Sequence, residues 1–126
     1  MVAGIQQAAN TQALFKTAHE SGTQIITNQA LWEGWDPKTV DDFLDPLDAI
    51  YLTIDMDVFA SAYAPGVSAA SPMGISPQTI MQFLKSILQS DKLVAIDIAE
   101  LSPVHDQQNQ TAKLAARLFN WILQTI

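Results

Sequence analysis

The sequence predicts an α/β protein, with a mainly parallel sheet covered by helices in a three-layer α/β/α arrangement. Short apolar or β-branched segments alternate with segments of helical periodicity along all 126 residues, and this alternation is typical of parallel sheets. The length and the 48% hydrophobic content suit one domain, residues 1–126, with a sizeable core. Carboxylates follow two of the predicted strands, at the sheet edge where such folds bind ligands.

The amino-terminal elements are two strands around one helix. Val2 to Ile5 is short and apolar, which predicts a strand or the end of a strand whose beginning lies elsewhere. An amphipathic helix follows, from a cap at Asn10 to a stop at Ser21-Gly22. Residues 23–27 predict a β-branched strand, and residues 28–36 predict an irregular segment.

The middle of the chain contains a helix, a strand and a long loop. Asp36-Pro37 is a cap followed by proline at the first helical position, and this helix should reach about Leu44. Residues 49–55 predict a buried strand. Residues 58–75 predict a loop, and a loop of this length in a compact domain is usually functional.

The last elements are a helix, a strand and a closing helix. From Ser76-Pro77 onward, apolar residues recur with the period of one helical face. Leu93 to Ala99 then predict a strand, and the break at Pro103 separates it from an amphipathic helix over residues 114–122. The complete order, β-α-β-α-β-loop-α-β-α, supports the parallel sheet.

Composition excludes several classes of partner and site. The net charge of −7 disfavours nucleic acid and anionic membranes. The absence of cysteine excludes disulfides and thiolate metal sites, so any metal must be held by oxygen or imidazole. There is no run of 18 apolar residues, and the first residues lack the features of a signal peptide. We therefore expect a cytoplasmic protein.

Asp55 and Asp57 form the strongest candidate site. Both stand in an apolar stretch, where an ionised carboxylate is costly unless a cation or hydrogen bonds meet it. In a strand, residues two apart point to the same side, and two hard oxygen ligands suit Mn²⁺ or Mg²⁺. The alternative is structural, with the carboxylates capping the next loop or pairing with Lys or Arg.

The other candidates are a glutamate, an aspartate and the two histidines. Glu100 follows a strand and could offer its carboxylate to a guanidinium-like substrate, although a solvated strand end is the alternative. Asp97 is expected to be a local hydrogen-bond partner. His19, at a helix end, and His105, in a turn, are expected at the surface.

Two motifs in register resemble the ureohydrolase (arginase/agmatinase) family. Residues 53–57, Thr-Ile-Asp-Met-Asp, are followed by Ala64-Pro65-Gly66 and then by Gly74, as in the last signature of that family. Residues 100–103, Glu-Leu-Ser-Pro, resemble its Glu-Val-Asn-Pro-like turn. The resemblance covers essentially the whole chain, matches the carboxy-terminal part of the arginase-like fold, and is greatest to the formimidoylglutamase branch.

The resemblance implies roles for three carboxylates. Asp55 would bridge two Mn²⁺ ions, Asp57 would ligate one of them, and Glu100 would hold the amidine or guanidinium group of the substrate. Paired metals of this kind lower the pKa of bound water. Formimidoylglutamases hydrolyse N-formimidoyl-L-glutamate to glutamate and formamide in histidine degradation. No catalytic residue is expected in this chain beside these metal-binding and substrate-binding roles.

Two departures from the family pattern limit what the chain should do alone. Ala60 and Ser61 stand where the family usually has Asp-Pro, which puts the stability of the loop in question. The histidine-bearing motifs that supply the remaining metal ligands are absent. We therefore expect an inactive carboxy-terminal fragment that needs the amino-terminal half of the same enzyme. The alternatives are a fragment of agmatinase or arginase, or a non-catalytic α/β interaction domain whose exposed edges favour homo-oligomers.

Overall fold

The computed structural model describes residues 1–126, and their contacts fall into two compact units, Met1–Trp35 and Asp36–Ile126. The predicted α/β class is confirmed, because helices alternate with strands that pair in parallel within each unit. The single domain expected from the length stays a prediction. None of the helices has the length and apolar character that crossing a membrane would require.

The first unit is built on one pair of short parallel strands. Strand β1 (Val2–Ile5) pairs with β2 (Ile25–Thr27). Between them lie a 3-10 turn at Gln7–Ala9 and helix α1 (Gln12–Glu20). Helix α2 (Asn28–Glu33) follows β2 directly.

Two predictions in this unit are wrong. Helix α1 is capped by Thr11, one residue beyond the predicted cap at Asn10. Residues 28–36, predicted to be irregular, contain α2, whose start is capped by the Thr27 hydroxyl accepting a hydrogen bond from the Ala30 N–H at 3.1 Å. Because Thr27 ends a strand and caps a helix at once, its β-branched character concealed the capping signal.

The second unit contains a second parallel pair, β3 (Ile50–Asp55) with β4 (Leu93–Ala99). Its helices are α3 (Pro37–Leu44), α4 (Pro77–Leu88) and α5 (Gln110–Thr125). Helix α4 packs against α3 and α5 and buries the apolar face that the sequence predicted. The caps predicted at Asp36 and Ser76 are confirmed, since both side chains accept hydrogen bonds from first-turn N–H groups.

Only one face of β3 is covered in this structure. Ile54 is buried, whereas Tyr51 on the opposite face has 64% of its surface exposed. The predicted burial of this strand is therefore wrong for the face that carries Tyr51. The pairing of Thr53 with Asp97 places both residues on that exposed face.

Candidate metal and substrate site

Asp55 is the last residue of β3, and the chain then enters a 3-10 turn, Met56–Val58. The Asp55 carboxylate accepts a hydrogen bond from the Asp57 N–H at 2.8 Å through Oδ1. The prediction that both aspartates leave one extended strand is therefore wrong for Asp57, which lies in the turn. The capping alternative is realised at Asp55, but it uses one carboxylate oxygen and so remains compatible with a ligand role.

Asp57 is held in a setting that disfavours its charge. Its Oδ1 is buried and has no hydrogen-bond partner. Burial raises the pKa of Asp57, and the negative charges of Asp55 and Glu100 raise it further, against a lowering hydrogen bond from the Ala69 N–H. A buried acceptor without a partner costs about 1–3 kcal/mol. A cation at this point would supply the missing partner.

Glu100 follows β4 directly and lies within electrostatic reach of Asp57. Its backbone has a φ of 64°, in the left-handed region that few residues other than glycine adopt. Such strained backbone clusters at functional sites. The Ser68 hydroxyl donates a hydrogen bond to Glu100 Oε2 at 3.5 Å. The structure thus places the three selected carboxylates after the ends of β3 and β4, with Asp55 and Asp57 joined by a hydrogen bond and Glu100 near enough to raise the pKa of Asp57.

The loop between β3 and α4 is closed by backbone hydrogen bonds at its base. The Ala60 N–H donates to the Ile75 carbonyl at 3.1 Å, and the Ile75 N–H donates to the Val58 carbonyl at 2.7 Å. Gly74 passes so close that a Cβ there would lie 2.3 Å from the carbonyl carbon of Phe59. Gly74, the second glycine of the motif, therefore leaves no room for a side chain.

The departures at Ala60 and Ser61 leave this pairing in place. Ala60 and Ser61 both donate backbone hydrogen bonds across the loop, and the bond from Ser61 to the Ser71 carbonyl is 2.7 Å long. Because these bonds involve main-chain atoms, they do not depend on the alanine and serine side chains, and the bond from Ser61 is one that a proline at that position could not donate.

Asp106 and Thr111 are two residues near the site that the sequence reasoning missed. Thr111 Oγ1 accepts a hydrogen bond from the Gly66 N–H at 2.7 Å, and a Cβ on Gly66 would lie 2.5 Å from Asp106 Cβ. The available signal was an aspartate shortly before a helix, where carboxylates favour the helix start. The contact with Gly66 had no local signal.

The remaining candidates do not join the site. Asp97 accepts a hydrogen bond through Oδ2 from the Tyr51 hydroxyl on the neighbouring strand, as expected of a hydrogen-bond partner, although its Oδ1 is buried without one, as is that of Asp57. His19 is exposed in the last turn of α1. His105 is exposed, and its Nδ1 lies 2.8 Å from the Ser102 hydroxyl. The surface positions predicted for both histidines are confirmed.

Asp55 and Asp57 fit a divalent cation in donor type, because Mn²⁺ and Mg²⁺ prefer carboxylate oxygen, and the orphaned Oδ1 of Asp57 supports that fit. These two carboxylates could supply only part of the ligands that a metal ion needs. No group of three or more His, Cys, Asp or Glu side chains in the chain could hold a metal ion.

Comparison with known proteins gives consistent matches along the chain. The model of the arginase family matches residues 1–124. The formimidoylglutamase of Legionella pneumophila (strain Paris) is 46% identical over 125 residues, which are 97% of this chain and 39% of that protein. The formimidoylglutamase of Clostridium tetani is 42% identical over 126 residues, which are 98% of this chain and 37% of that protein.

Solved structures agree with these relatives. The formimidoylglutamase of Bacillus subtilis superposes with a TM-score of 0.89 at 28% identity, over 98% of this chain and 40% of that one. The arginase of Bacillus caldovelox superposes with a TM-score of 0.81 at 19% identity, over 95% of this chain and 41% of that one, and shows the shared fold. The chain thus spans about two fifths of the length of the relatives it matches.

Proposed function

This chain belongs to the arginase family, and on that premise we propose that it forms the carboxy-terminal part of a formimidoylglutamase. The parent enzyme would hydrolyse N-formimidoyl-L-glutamate to L-glutamate and formamide, in the cytoplasm and within histidine degradation. Identity of 46% and 42% to proteins of that name, over nearly the whole chain, supports the substrate. The observation that carries the chemistry is the buried, unpartnered oxygen of Asp57 beside two other carboxylates.

In this proposal Asp55 and Asp57 are metal ligands. Asp55 would bridge two Mn²⁺ ions and Asp57 would ligate one of them. The raised pKa of Asp57 supports this role, because an opposite charge stabilises the ionised form that burial disfavours. When bound, the metal pair would lower the pKa of a water molecule and stabilise the negative charge that develops during hydrolysis.

Glu100 would hold the amidine end of the substrate. A protonated amidine presents parallel N–H donors to a carboxylate, and charge-assisted pairs of this kind are strong and directional. The left-handed backbone at Glu100 restricts the position of this residue, and the Ser68 hydroxyl lies 3.5 Å from its carboxylate, at the limit of a hydrogen bond. The cationic substrate would also offset the negative charge that gathers around Asp57.

The remaining metal ligands would come from the part of the parent enzyme that this chain does not match, which in this proposal is amino-terminal; the chain covers 39% of its Legionella pneumophila relative. Two carboxylates do not hold two Mn²⁺ ions tightly, so the isolated chain would be inactive. The partners of the chain would therefore be that missing part and a small amidine substrate.

A chimera tests the proposal, with this chain replacing the matching 125 residues of the Legionella pneumophila (strain Paris) relative. With added Mn²⁺ we expect formamide release from N-formimidoyl-L-glutamate, and none above a metal-only blank from the isolated chain. A preference for agmatine or arginine would reassign the substrate. A folded, metal-loaded chimera that is inactive on all three would reject the hydrolase, and turnover by the isolated chain would reject the partial site.

A further inference from the structure

We infer that Asp106 and Thr111 are positioning residues of the candidate site, acting through Gly66 on a loop segment that contacts both Asp57 and Glu100. The functional meaning of this inference rests on the proposed function. The contacts on which the inference is built are independent of the proposed function. They involve the loop after β3, the turn after β4 and the first turn of α5.

Asp106 takes the place of a cap at the start of α5. The residue at the cap position, Asn109, makes no side-chain hydrogen bond to the helix. Instead, Asp106 Oδ1 accepts from the Thr111 N–H at 2.9 Å, and Oδ2 accepts from the Ala112 N–H at 3.0 Å. Burial raises the pKa of Asp106, but these hydrogen bonds outweigh burial and leave it lowered. The carboxylate is therefore fixed as an anion at the helix start.

Thr111 connects this cap to the loop after β3. Its side chain is fully buried. The hydroxyl makes a hydrogen bond to the Asp106 carboxylate and accepts one from the Gly66 N–H at 2.7 Å. A hydroxyl can donate one hydrogen bond while accepting another. Removing it would leave the buried Gly66 N–H without a partner, which is costly.

Gly66 is fixed from three directions. Its N–H is held by Thr111, and its carbonyl accepts from the Ser102 N–H at 2.8 Å, two residues after Glu100. Its Cα lies against Asp106, with no space for a Cβ. Gly66 thus ties the loop after β3 to the turn that carries Glu100.

The segment that follows Gly66 contacts both parts of the site. Ser68 donates to Glu100 Oε2 at 3.5 Å, and the Ala69 N–H donates to the carboxylate of Asp57. A hydrogen bond of 3.5 Å is at the limit of a useful interaction, so a small shift of the segment would break it. The stronger link to Glu100 is the 2.8 Å hydrogen bond from the Ser102 N–H to the Gly66 carbonyl, and through this bond we expect the Gly66 attachment to control the position of Glu100.

The test compares Thr111→Val with Thr111→Ser in the chimera. Valine keeps the shape and removes the hydroxyl, so we expect KM for N-formimidoyl-L-glutamate to rise about tenfold with kcat and manganese content nearly unchanged. Serine keeps the hydroxyl and should restore most of the affinity. Ile122→Val, buried in the same helix, controls for general destabilisation of α5 and should leave KM unchanged. An unchanged KM in Thr111→Val, or an equal rise in Ile122→Val, would overturn the inference.

A second measurement on the 126-residue chain keeps the two proposals distinguishable. Hydrogen exchange of the Gly66 amide should become at least about tenfold faster in Thr111→Val and not in Thr111→Ser, because only valine removes its acceptor. If the parent chimera hydrolyses no amidine, the proposed function fails, and accelerated exchange still supports the attachment. Unchanged exchange of the Gly66 amide overturns the inferred attachment, whether or not the chimera is active. If Thr111→Val does not fold, Asp106→Asn takes its place in the KM measurement, because an amide nitrogen then replaces one of the two carboxylate oxygens that accept from the Thr111 and Ala112 N–H groups. We expect KM to rise, and an unchanged KM overturns the inference.

Discussion

Asp57 combines a buried, unpartnered oxygen with two like-charged neighbours, and the two together raise its pKa. One of its oxygens is buried without a hydrogen-bond partner. Its nearest charges, on Asp55 and Glu100, are negative and raise its pKa together with burial. A side chain in this position reduces the stability of the metal-free chain, and a binding role is a physical reason to tolerate that cost.

Replacing Asp57 with asparagine should therefore stabilise the metal-free chain. At neutral pH we expect Asp57→Asn to raise the free energy of unfolding by about 1 kcal/mol, because it removes a poorly solvated charge and a like-charge repulsion. Urea denaturation in the presence of a chelator measures this change. Asp91→Asn, an exposed site with the same change in net charge, should have an effect within about 0.5 kcal/mol of zero. A destabilised Asp57→Asn would contradict this view of the site.

In the chimera, substitutions of Asp55 and Glu100 should have different effects, because the two residues have different proposed roles. Asp55→Ala should lose manganese, because it removes the bridging carboxylate. Glu100→Ala should keep the metal and weaken substrate affinity by about 10–100-fold, since a charge-assisted pair contributes about 1.5–3 kcal/mol. Elemental analysis and KM measure the two effects. Full manganese content in Asp55→Ala would show that the ligand assignment is wrong.

At the scale of the element, the loop after β3 is a folded structure with little regular hydrogen bonding. Its base is closed between Val58, Ala60 and Ile75, and its centre is attached to α5 through Gly66. Both glycines of the resembled motif lie where a Cβ would collide with neighbouring atoms. The two glycines of the motif are therefore explained by steric requirements of the loop.

Gly74→Ala should destabilise the chain strongly. The added Cβ would lie 2.3 Å from backbone atoms of Phe59 and Ala60, and backbone yields less easily than a side chain. We expect a loss of about 3 kcal/mol in the free energy of unfolding, at the upper end of the usual cost of overpacking. Ala70→Ser adds one atom at an exposed position of the same loop and is the control, expected to be neutral. Equal stability of the two variants would show that the loop relaxes around residue 74.

At the scale of the whole molecule, the chain is two compact units, each with one parallel strand pair. All three candidate carboxylates and both positioning residues belong to the second unit. The proposed site would be partial, because no group of three or more His, Cys, Asp or Glu side chains in the chain could hold a metal ion, and the face of β3 that carries Tyr51 is exposed. Both observations agree with a chain that spans about two fifths of its relatives. The assembled site would require the rest of that fold.

By itself, the sequence determined the α/β class, the order of strands and long helices, and the two strand ends that carry Asp55 and Glu100. These features follow from apolar periodicity and helix caps, which are local signals. Where one residue carried two local signals, as Thr27 does, the prediction missed a helix.

Only the tertiary structure decided which groups meet. It placed Asp57 in a turn with a buried oxygen, and it joined Gly66 to Thr111 across 45 residues of sequence. No local pattern encodes such a contact, because it depends on how separate elements pack against one another. The physical chemistry of the site follows from those contacts, while the identity of its carboxylates was already present in the sequence.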